Sequence, residues 1–214
     1  MAVWHLTDEM LEAYAAGSIS EGMSLLAASH LTYCPVCRAR VDAFEKLSGA
    51  VLAEFGGAES GPDLAEVLDA IDAGDTPERL ARPLDVDPGS PLPNPIRERV
   101  GMPIEDLRWR FLLPGLAECR IDGFDGEEVS LLRARPGARI PGHTHSGDEA
   151  TLILSGQMRD GDRVFGRGDL ALADHDDDHH PEIVGNETCV CLVVLSGRMR
   201  FTGTFGRALN LFTG

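Results

Sequence analysis

Residues 137–156 have the sequence GARIPGHTHSGDEATLILSG, which contains two histidines, a glutamate and four glycines. His143 and His145 stand two residues apart, so on a β-strand both side chains point to the same face. Glu149 follows at the start of the next apolar segment, and Gly156 is expected to make a hairpin turn. Two imidazoles and a carboxylate are a ligand set for a divalent metal ion.

Short alternating segments surround this stretch and are separated by turn residues. Gly-Asp pairs at 161–162 and 168–169 punctuate them. Such a density of short strands indicates an all-β sandwich or barrel. The segments are EEVSLLRA, ATLILSG, RVFG, DLALAD, EIVG and CVCLVVLSG.

The spacing G-x5-H-x-H-x3-E-x6-G resembles the first motif of the cupin superfamily, whose fold is a jelly-roll barrel. The second cupin motif is similar to residues 166–181, GRGDLALADHDDDHHP, where a histidine is the usual fourth ligand. His175, His179 and His180 are candidates, and the family pattern places this histidine two residues before a proline, which selects His179. The resemblance implies a site for Zn²⁺, Fe²⁺, Mn²⁺ or Ni²⁺ made by His143, His145, Glu149 and His179. The alternative is a set of histidines that are satisfied inside a barrel without a metal.

The N-terminal third has a helical pattern instead. Thr7 and Ser20 are predicted caps of the first two helices, which cover 8–16 and 21–33. A third helix is predicted from about Cys37 to residue 55 and a fourth over 63–73, each with apolar residues on one face. Four such helices bury little surface, so a structural metal ion would add stability.

Residues 29–40, SHLTYCPVCRAR, offer ligands for that ion. His30 and Cys34 are four residues apart on one helix face, and a turn after Pro35 is expected to bring Cys37 back towards Cys34. His5 is the remaining histidine of this half, and two thiolates with two imidazoles suit Zn²⁺. The alternatives are a redox CxxC motif, which needs a βαβ context that this segment lacks, or unrelated core residues.

The segment between the two patterns contains six prolines from Pro77 to Pro95 and is predicted to be a linker that few contacts cross. The expected organisation is an α+β multidomain protein. It consists of a small four-helix zinc-binding domain at 1–75, a Pro-rich linker at 76–105 and an all-β cupin barrel at 106–214.

Composition limits the classes of function. The chain has 214 residues, 43% hydrophobic and 25% charged, as in an ordinary globular protein. It begins without a signal-peptide pattern and has no apolar run that could span a membrane, so a cytoplasmic location with reduced cysteines is expected.

The formal net charge is −16, and 13 Asp and Glu against three basic residues give −10 in residues 1–75. This field disfavours direct nucleic-acid binding and favours a basic protein partner, although a solvated acidic surface explains the charge equally well.

The N-terminal cluster, together with YAAG at 14–17, resembles the zinc-binding anti-sigma domain family, and followed by a cupin it resembles the ChrR-type anti-sigma factors. The resemblance extends through VGMPIEDLRWR at 100–110 and ETCVCL at 187–192, but not through the linker and the C-terminal tail. It implies a non-enzymatic regulator that holds an extracytoplasmic-function sigma factor inactive until oxidative stress, notably singlet oxygen, releases it. It also makes Cys189 and Cys191 candidates for sensing, although two small core residues explain them better. The alternative function is a metal-dependent cupin dioxygenase or isomerase with a helical appendage.

Overall fold

The computed structural model describes residues 2–55, 61, 63–74 and 89–202. The described helices are α1 (Asp8–Ala15), α2 (Glu21–Tyr33), α3 (Pro35–Glu54), α4 (Leu64–Ala73) and α5 (Asn94–Val100), with a 3-10 turn at Ile104–Asp106. The strands are β1 (Arg110–Leu113), β2 (Leu116–Arg120), β3 (Glu128–Ala134), β4 (His143–His145), β5 (Glu149–Ser155), β6 (Gln157–Asp160), β7 (Arg163–Phe165), β8 (Leu170–Ala173), β9 (Glu182–Val184), β10 (Cys189–Leu195) and β11 (Met199–Phe201). No helix in these ranges is long and apolar enough to cross a bilayer.

The helix starts follow from local side chains. Thr7 accepts a hydrogen bond from the Met10 amide and Ser20 accepts one from the Met23 amide, so both predicted caps are confirmed. The third helix begins at Pro35 and not at Cys37, because proline at the first helical position needs no hydrogen-bond partner for its nitrogen. Cys34 therefore ends α2 and caps α3, and the two helices meet at this single residue.

The C-terminal half is built from antiparallel strands, as the turn-punctuated pattern predicts. One sheet has the order β1-β2-β3-β10-β5-β8, a second has the order β7-β6-β9, and β11 pairs with β4. Gly156 does not make the predicted hairpin: after β5 the chain leaves the six-stranded sheet and enters the three-stranded one. Gly156 has φ +69°, and a Cβ there would lie 2.8 Å from the Cys189 Cα, so this crossing requires glycine.

Strand β10 of the six-stranded sheet is buried on both faces. Along β10, Cys189, Cys191 and Val193 pack into the core that β6, β7 and β9 cover. Val190, Leu192 and Val194 point the other way, into a core shared with the helices. The run CVCLVVL is therefore apolar at every position because both sides of its strand are buried.

The expectation that few contacts connect the two halves is wrong. One core joins Leu11 and Leu26 of the helices to Leu152 and Leu192 of the sheet. Gly22 permits a close approach of α2 to the barrel, since a Cβ there would lie 2.8 Å from Val129 Cγ2. The helical half is thus docked on the barrel.

The predicted linker contains packed structure at its C-terminal end. Leu92 and Ile96 are buried, and α5 lies against α2. Arg99 of α5 contacts Glu21 and stacks on the Phe124 ring. Residues 75–88 lie outside the described part of the chain, and the boundaries at 75 and 105 stay predictions.

The described helices number five rather than four, and they are not equal members of a bundle. Helices α1, α2 and the first two turns of α3 contribute buried residues, and the helical core continues into the sheet. Helix α4 buries none of its residues. In place of the predicted small four-helix domain, α1, α2, the start of α3 and α5 form a layer on the barrel, and α4 lies outside it.

Candidate metal centres

The N-terminal cluster brings together the four residues that the sequence singled out. One ligand atom from each of His5, His30, Cys34 and Cys37 lies within 4.8 Å of all the others. Cys34 Sγ is 3.2 Å from His5 Nδ1, and Cys37 Sγ is 3.3 Å from His30 Nε2. A tetrahedral ion with bonds of about 2.0–2.3 Å needs donors separated by roughly 3.3–3.8 Å, so these four side chains fit one.

His30 is orientated by the barrel half. Its Nδ1 lies 2.9 Å from the carbonyl oxygen of Gly168, which only a protonated Nδ1 can satisfy, so the lone pair of Nε2 faces Cys37. Burial lowers the pKa of His30, and burial together with the Cys34 thiol raises the pKa of Cys37 to about 11. Without an ion Cys37 is therefore a neutral thiol, and a metal would have to displace its proton.

The barrel cluster is formed by β4, the start of β5 and the segment before β9. His143 and His179 form an isolated antiparallel bridge, which puts their rings 4.3 Å apart between centroids. His145 Nε2 lies 2.8 Å from Glu149 Oε2, and one ligand atom from each of the four residues falls within a 4.8 Å group. The choice of His179 brings four potential ligands together, whereas His175 and His180 are exposed.

Outer contacts hold these side chains in place. His143 Nδ1 donates to the Pro141 carbonyl oxygen at 2.8 Å, and His179 Nδ1 donates to Asp160 Oδ2 at 2.8 Å. The Thr151 hydroxyl donates to Glu149 Oε1 at 3.0 Å. Carboxylate and carbonyl acceptors on the far nitrogen are the usual support of a metal-bound histidine.

Three buried nitrogens of the barrel cluster are left without hydrogen bonds. Within the described ranges, both nitrogens of His145 and Nε2 of His179 are buried and lack a hydrogen-bond partner, and the 2.8 Å contact of His145 with Glu149 has no hydrogen-bond geometry. Buried polar atoms are seldom left unpaired, so the observation fits a metal ion at this point.

The charges of the barrel cluster are mutually dependent. Burial lowers the pKa of His143 and would raise that of Glu149, but the surrounding imidazoles, His145 first, hold the pKa of Glu149 below its ordinary value. For His179, burial alone would lower the pKa, yet the Asp160 and Glu149 carboxylates raise it. The cluster thus holds an anionic carboxylate among imidazoles, as a divalent cation requires.

Sequence reasoning missed Asp160, Thr151 and Gly168. Asp160 lies 19 residues before His179 in the chain, and Gly168 lies 138 residues after His30. No local spacing connects either pair. Only the Gly-Asp turn signal at 168–169 marked one of these positions, and it indicated a turn rather than a contact with the other half.

Family comparisons support the assignment from the motifs. Residues 97–198 match the family model described as a ChrR Cupin-like domain. The curated "Anti-sigma-E factor ChrR" of Cereibacter sphaeroides is 35% identical over 211 residues, covering 97% of this chain and 96% of the relative. The chain belongs to the ChrR family of anti-sigma factors.

A solved structure agrees with this membership in the ChrR family. It is described as "Rhodobacter sphaeroides SigE in complex with the anti-sigma ChrR", and it matches with a TM-score of 0.78 and 35% identity. The match covers 91% of this chain and 100% of that chain. Because the relative is a regulator, the prediction that this chain is not an enzyme is confirmed, and the dioxygenase or isomerase alternative is set aside.

The remaining cysteines of this ChrR family member are buried. Cys189 and Cys191 share one face of β10 inside the barrel. The Cys189 thiol and burial hold the pKa of Cys191 well above its ordinary value. Neutral buried thiols are weak nucleophiles, so the geometry favours a packing role in the resting state.

A cavity of about 480 Å³ lies where the helical half meets the mouth of the barrel cluster. It is lined by Met10 and Met23 from the helices and by Glu149, Ala173 and Asp177 from the barrel. Glu149 therefore belongs both to the barrel cluster and to a cavity at the boundary of the two halves. A small molecule that reaches this cluster would also touch the helices.

Proposed function

We propose that this chain captures an extracytoplasmic-function sigma factor with its helical half and releases it under oxidative stress sensed by the metal-binding barrel. The observation that supports capture is the unburied apolar surface of α3 and α4. In α4, Leu64, Leu68 and Ile71 are 70%, 51% and 66% exposed. An exposed apolar helix face of this kind marks a binding site for another protein, which would bury it.

The second half of α3 continues this surface. Leu47 and Leu52 are largely exposed, and Phe55 is 82% exposed at the helix end. We define the exposed apolar residues of α3 and α4 as the capture face. It lies in the part of the chain whose net formal charge is −10, so basic segments of a sigma factor would be attracted before the apolar contacts form. A partner that acts on RNA polymerase would also place the chain in the cytoplasm.

Co-expression tests the proposal directly. The full chain is produced with a tagged candidate sigma factor from the same genome, and the purified complex is added to a transcription assay. We expect co-purification and inhibition of sigma-dependent transcription that weakens as salt rises. Co-purification without inhibition, or inhibition without a complex, would contradict capture as the mechanism.

Leu68→Asp is expected to weaken sigma binding by 10-fold or more, roughly 1.4 kcal/mol or above, because it places a charge within the capture face. The protein should keep its thermal stability, since Leu68 is half exposed and packs in no described core. Binding is measured by titration against the labelled sigma factor. Ala70→Asp adds the same charge outside the apolar stripe and should bind like wild type, and equal losses in both variants would remove α4 from the capture face.

We propose Zn²⁺ for the N-terminal cluster, because two thiolates and two imidazoles are its preferred closed ligand set. The ion would connect the segment before α1 to α2 and to the start of α3. For the barrel cluster, three imidazoles and a carboxylate suit Zn²⁺, Fe²⁺, Mn²⁺ or Ni²⁺. There the metal would supply a coordination position that a signal molecule can reach from the cavity.

The purified full chain is expected to contain two metal ions, one for each cluster. Elemental analysis should give about two equivalents for wild type and about one for His143→Ala, since the removed ligand is one of four. His175→Ala, which removes an exposed histidine outside the cluster, is the matched control and should retain both. A single equivalent in wild type that His143→Ala leaves unchanged would contradict the barrel site.

A further inference from the structure

The loop that precedes β8 contacts the N-terminal cluster from the barrel side. We name residues 166–169 the clasp turn. Gly166 and Asp169 close the turn by two mutual contacts: the Asp169 amide donates to the Gly166 carbonyl oxygen at 2.9 Å, and the Gly166 amide donates to Asp169 Oδ2 at 2.8 Å. The other oxygen of Asp169 is left to face the N-terminal segment.

Asp169 holds the backbone that carries His5. Its Oδ1 accepts from the amides of Val3, at 2.5 Å, and Trp4, at 3.0 Å. The Leu170 amide donates in return to the Trp4 carbonyl oxygen at 3.3 Å. Asp169 is 7% exposed, and hydrogen bonds from amides to a buried carboxylate are strong. His5 follows Trp4 directly in a segment without regular structure, so the clasp turn restricts where its ring can lie.

Gly168 holds the second histidine. Its carbonyl oxygen accepts from His30 Nδ1, as described above. The close approach depends on glycine, because φ is +89° and a Cβ would lie 2.9 Å from the Tyr33 Cβ. The cysteines need no such help: Cys34 and Cys37 are placed by the junction of α2 and α3.

We infer that the clasp turn of the barrel positions the N-terminal metal site, with Asp169 and the Gly168 carbonyl fixing the two histidine ligands. The two histidine ligands have these supports only while the helical half is docked on the barrel. Metal binding and docking therefore stabilise each other, as linkage requires.

The clasp turn is also connected to the barrel cluster. The Gly168 amide donates to the Ile153 carbonyl oxygen, and the Ile153 amide donates to the Asp169 carbonyl oxygen. Ile153 lies on β5, the strand that begins with Glu149, and Glu149 pairs with Ala173 at the end of β8. If the proposed function holds, a structural change at Glu149 is transmitted through β5 and β8 to the clasp turn, and from there to His5 and His30.

Cobalt substitution tests the positioning role in the full chain. Thiolate-to-cobalt charge-transfer bands report the N-terminal site alone, because the barrel cluster has no thiolate. Asp169→Ala is expected to shift these bands and to speed cobalt loss to a chelator by roughly 10- to 100-fold, the usual effect of removing an outer support of a metal ligand. Asp169→Asn retains an oxygen for Val3 and Trp4 and should lie between Asp169→Ala and wild type.

Asp162→Ala is the matched control, since Asp162 is an exposed aspartate in the turn between β6 and β7. It should keep the wild-type bands and rate. A folded Asp169→Ala protein with wild-type bands and release would overturn the inference.

Should Asp169→Ala fail to fold, nitrogen NMR of the zinc-loaded wild type decides: a slowly exchanging proton on His30 Nδ1 supports the clasp, and protonation at Nε2 overturns it. Failure of any sigma factor to bind would refute the proposed function and leave these measurements intact.

Discussion

Cys37→Ala is expected to remove the N-terminal metal ion and to abolish sigma capture. Cys37 is fully buried at the first turn of α3, and its sulfur lies 3.3 Å from His30 Nε2 and 3.7 Å from His5 Nδ1. Binding of structural zinc can supply on the order of 10 kcal/mol to a small domain. Without the thiolate the three remaining ligands would be buried polar groups that lack their common partner, which adds a further cost.

The loss should be local. The barrel has its own core of residues such as Ile153, Met158 and Phe165, so β-structure should persist while the helical signal falls. Circular dichroism, metal analysis and sigma binding would be measured on the same preparation. Cys119→Ala is the matched control, because Cys119 is also buried but belongs to no potential metal-ligand group among the described residues. A Cys37→Ala protein that still captured the sigma factor without metal would contradict the structural role of the ion.

Both candidate sites could be predicted because their ligands are mostly close in sequence. His143, His145 and Glu149 fall within seven residues, and strand periodicity with one turn is enough to bring them together. His30, Cys34 and Cys37 fall within eight residues, and helical spacing with one turn does the same. His179 and His5 needed the family pattern and the shortage of other histidines, respectively, since nothing local ties them to their partners.

The docking of the two halves could not be predicted from periodicity. The six prolines predicted a linker, but the stiffness of a linker does not decide whether the surfaces on either side of it pack together. The sequence of β10 indicated the opposite. It is apolar at every position, whereas a strand buried on only one face would alternate apolar and polar residues. Leu192 and Val194 needed a second layer, and α2 supplies it. The role of Asp169 could not be predicted either. A buried carboxylate that accepts hydrogen bonds from backbone amides has no characteristic spacing in the sequence.

His179→Ala is expected to leave sigma capture intact and to abolish release under singlet oxygen. His179 is the ligand that Asp160 supports, and its loss leaves the barrel cluster with three candidates. Capture should survive because α4, the main part of the capture face, buries no residue against the barrel. Transcription from a sigma-dependent reporter should therefore stay at the wild-type basal level and should not rise after stress.

His180→Ala is the matched control for this experiment, since it removes the adjacent exposed histidine and should respond like wild type. Glu149→Ala provides a second test, because Glu149 contributes to both the barrel cluster and the cavity between the halves. An intact stress response in His179→Ala and Glu149→Ala would mean that the barrel metal does not sense the oxidant.

Constitutive transcription in the same variants would have a different meaning. Such an outcome would show that the barrel metal is needed for capture itself, against the prediction. The shared core and the clasp turn offer a route for that effect, because β5 hydrogen-bonds to residues 168 and 169 and contacts α2. A two-state mechanism requires that the oxidised barrel and the sigma factor favour different arrangements of the docked halves.

Cobalt bands of the N-terminal site, recorded in His179→Ala with and without the sigma factor, would distinguish the two outcomes. Unchanged bands with intact capture fit a signal that starts only upon oxidation, whereas shifted bands with lost capture fit a barrel metal that holds the helical half in its binding state.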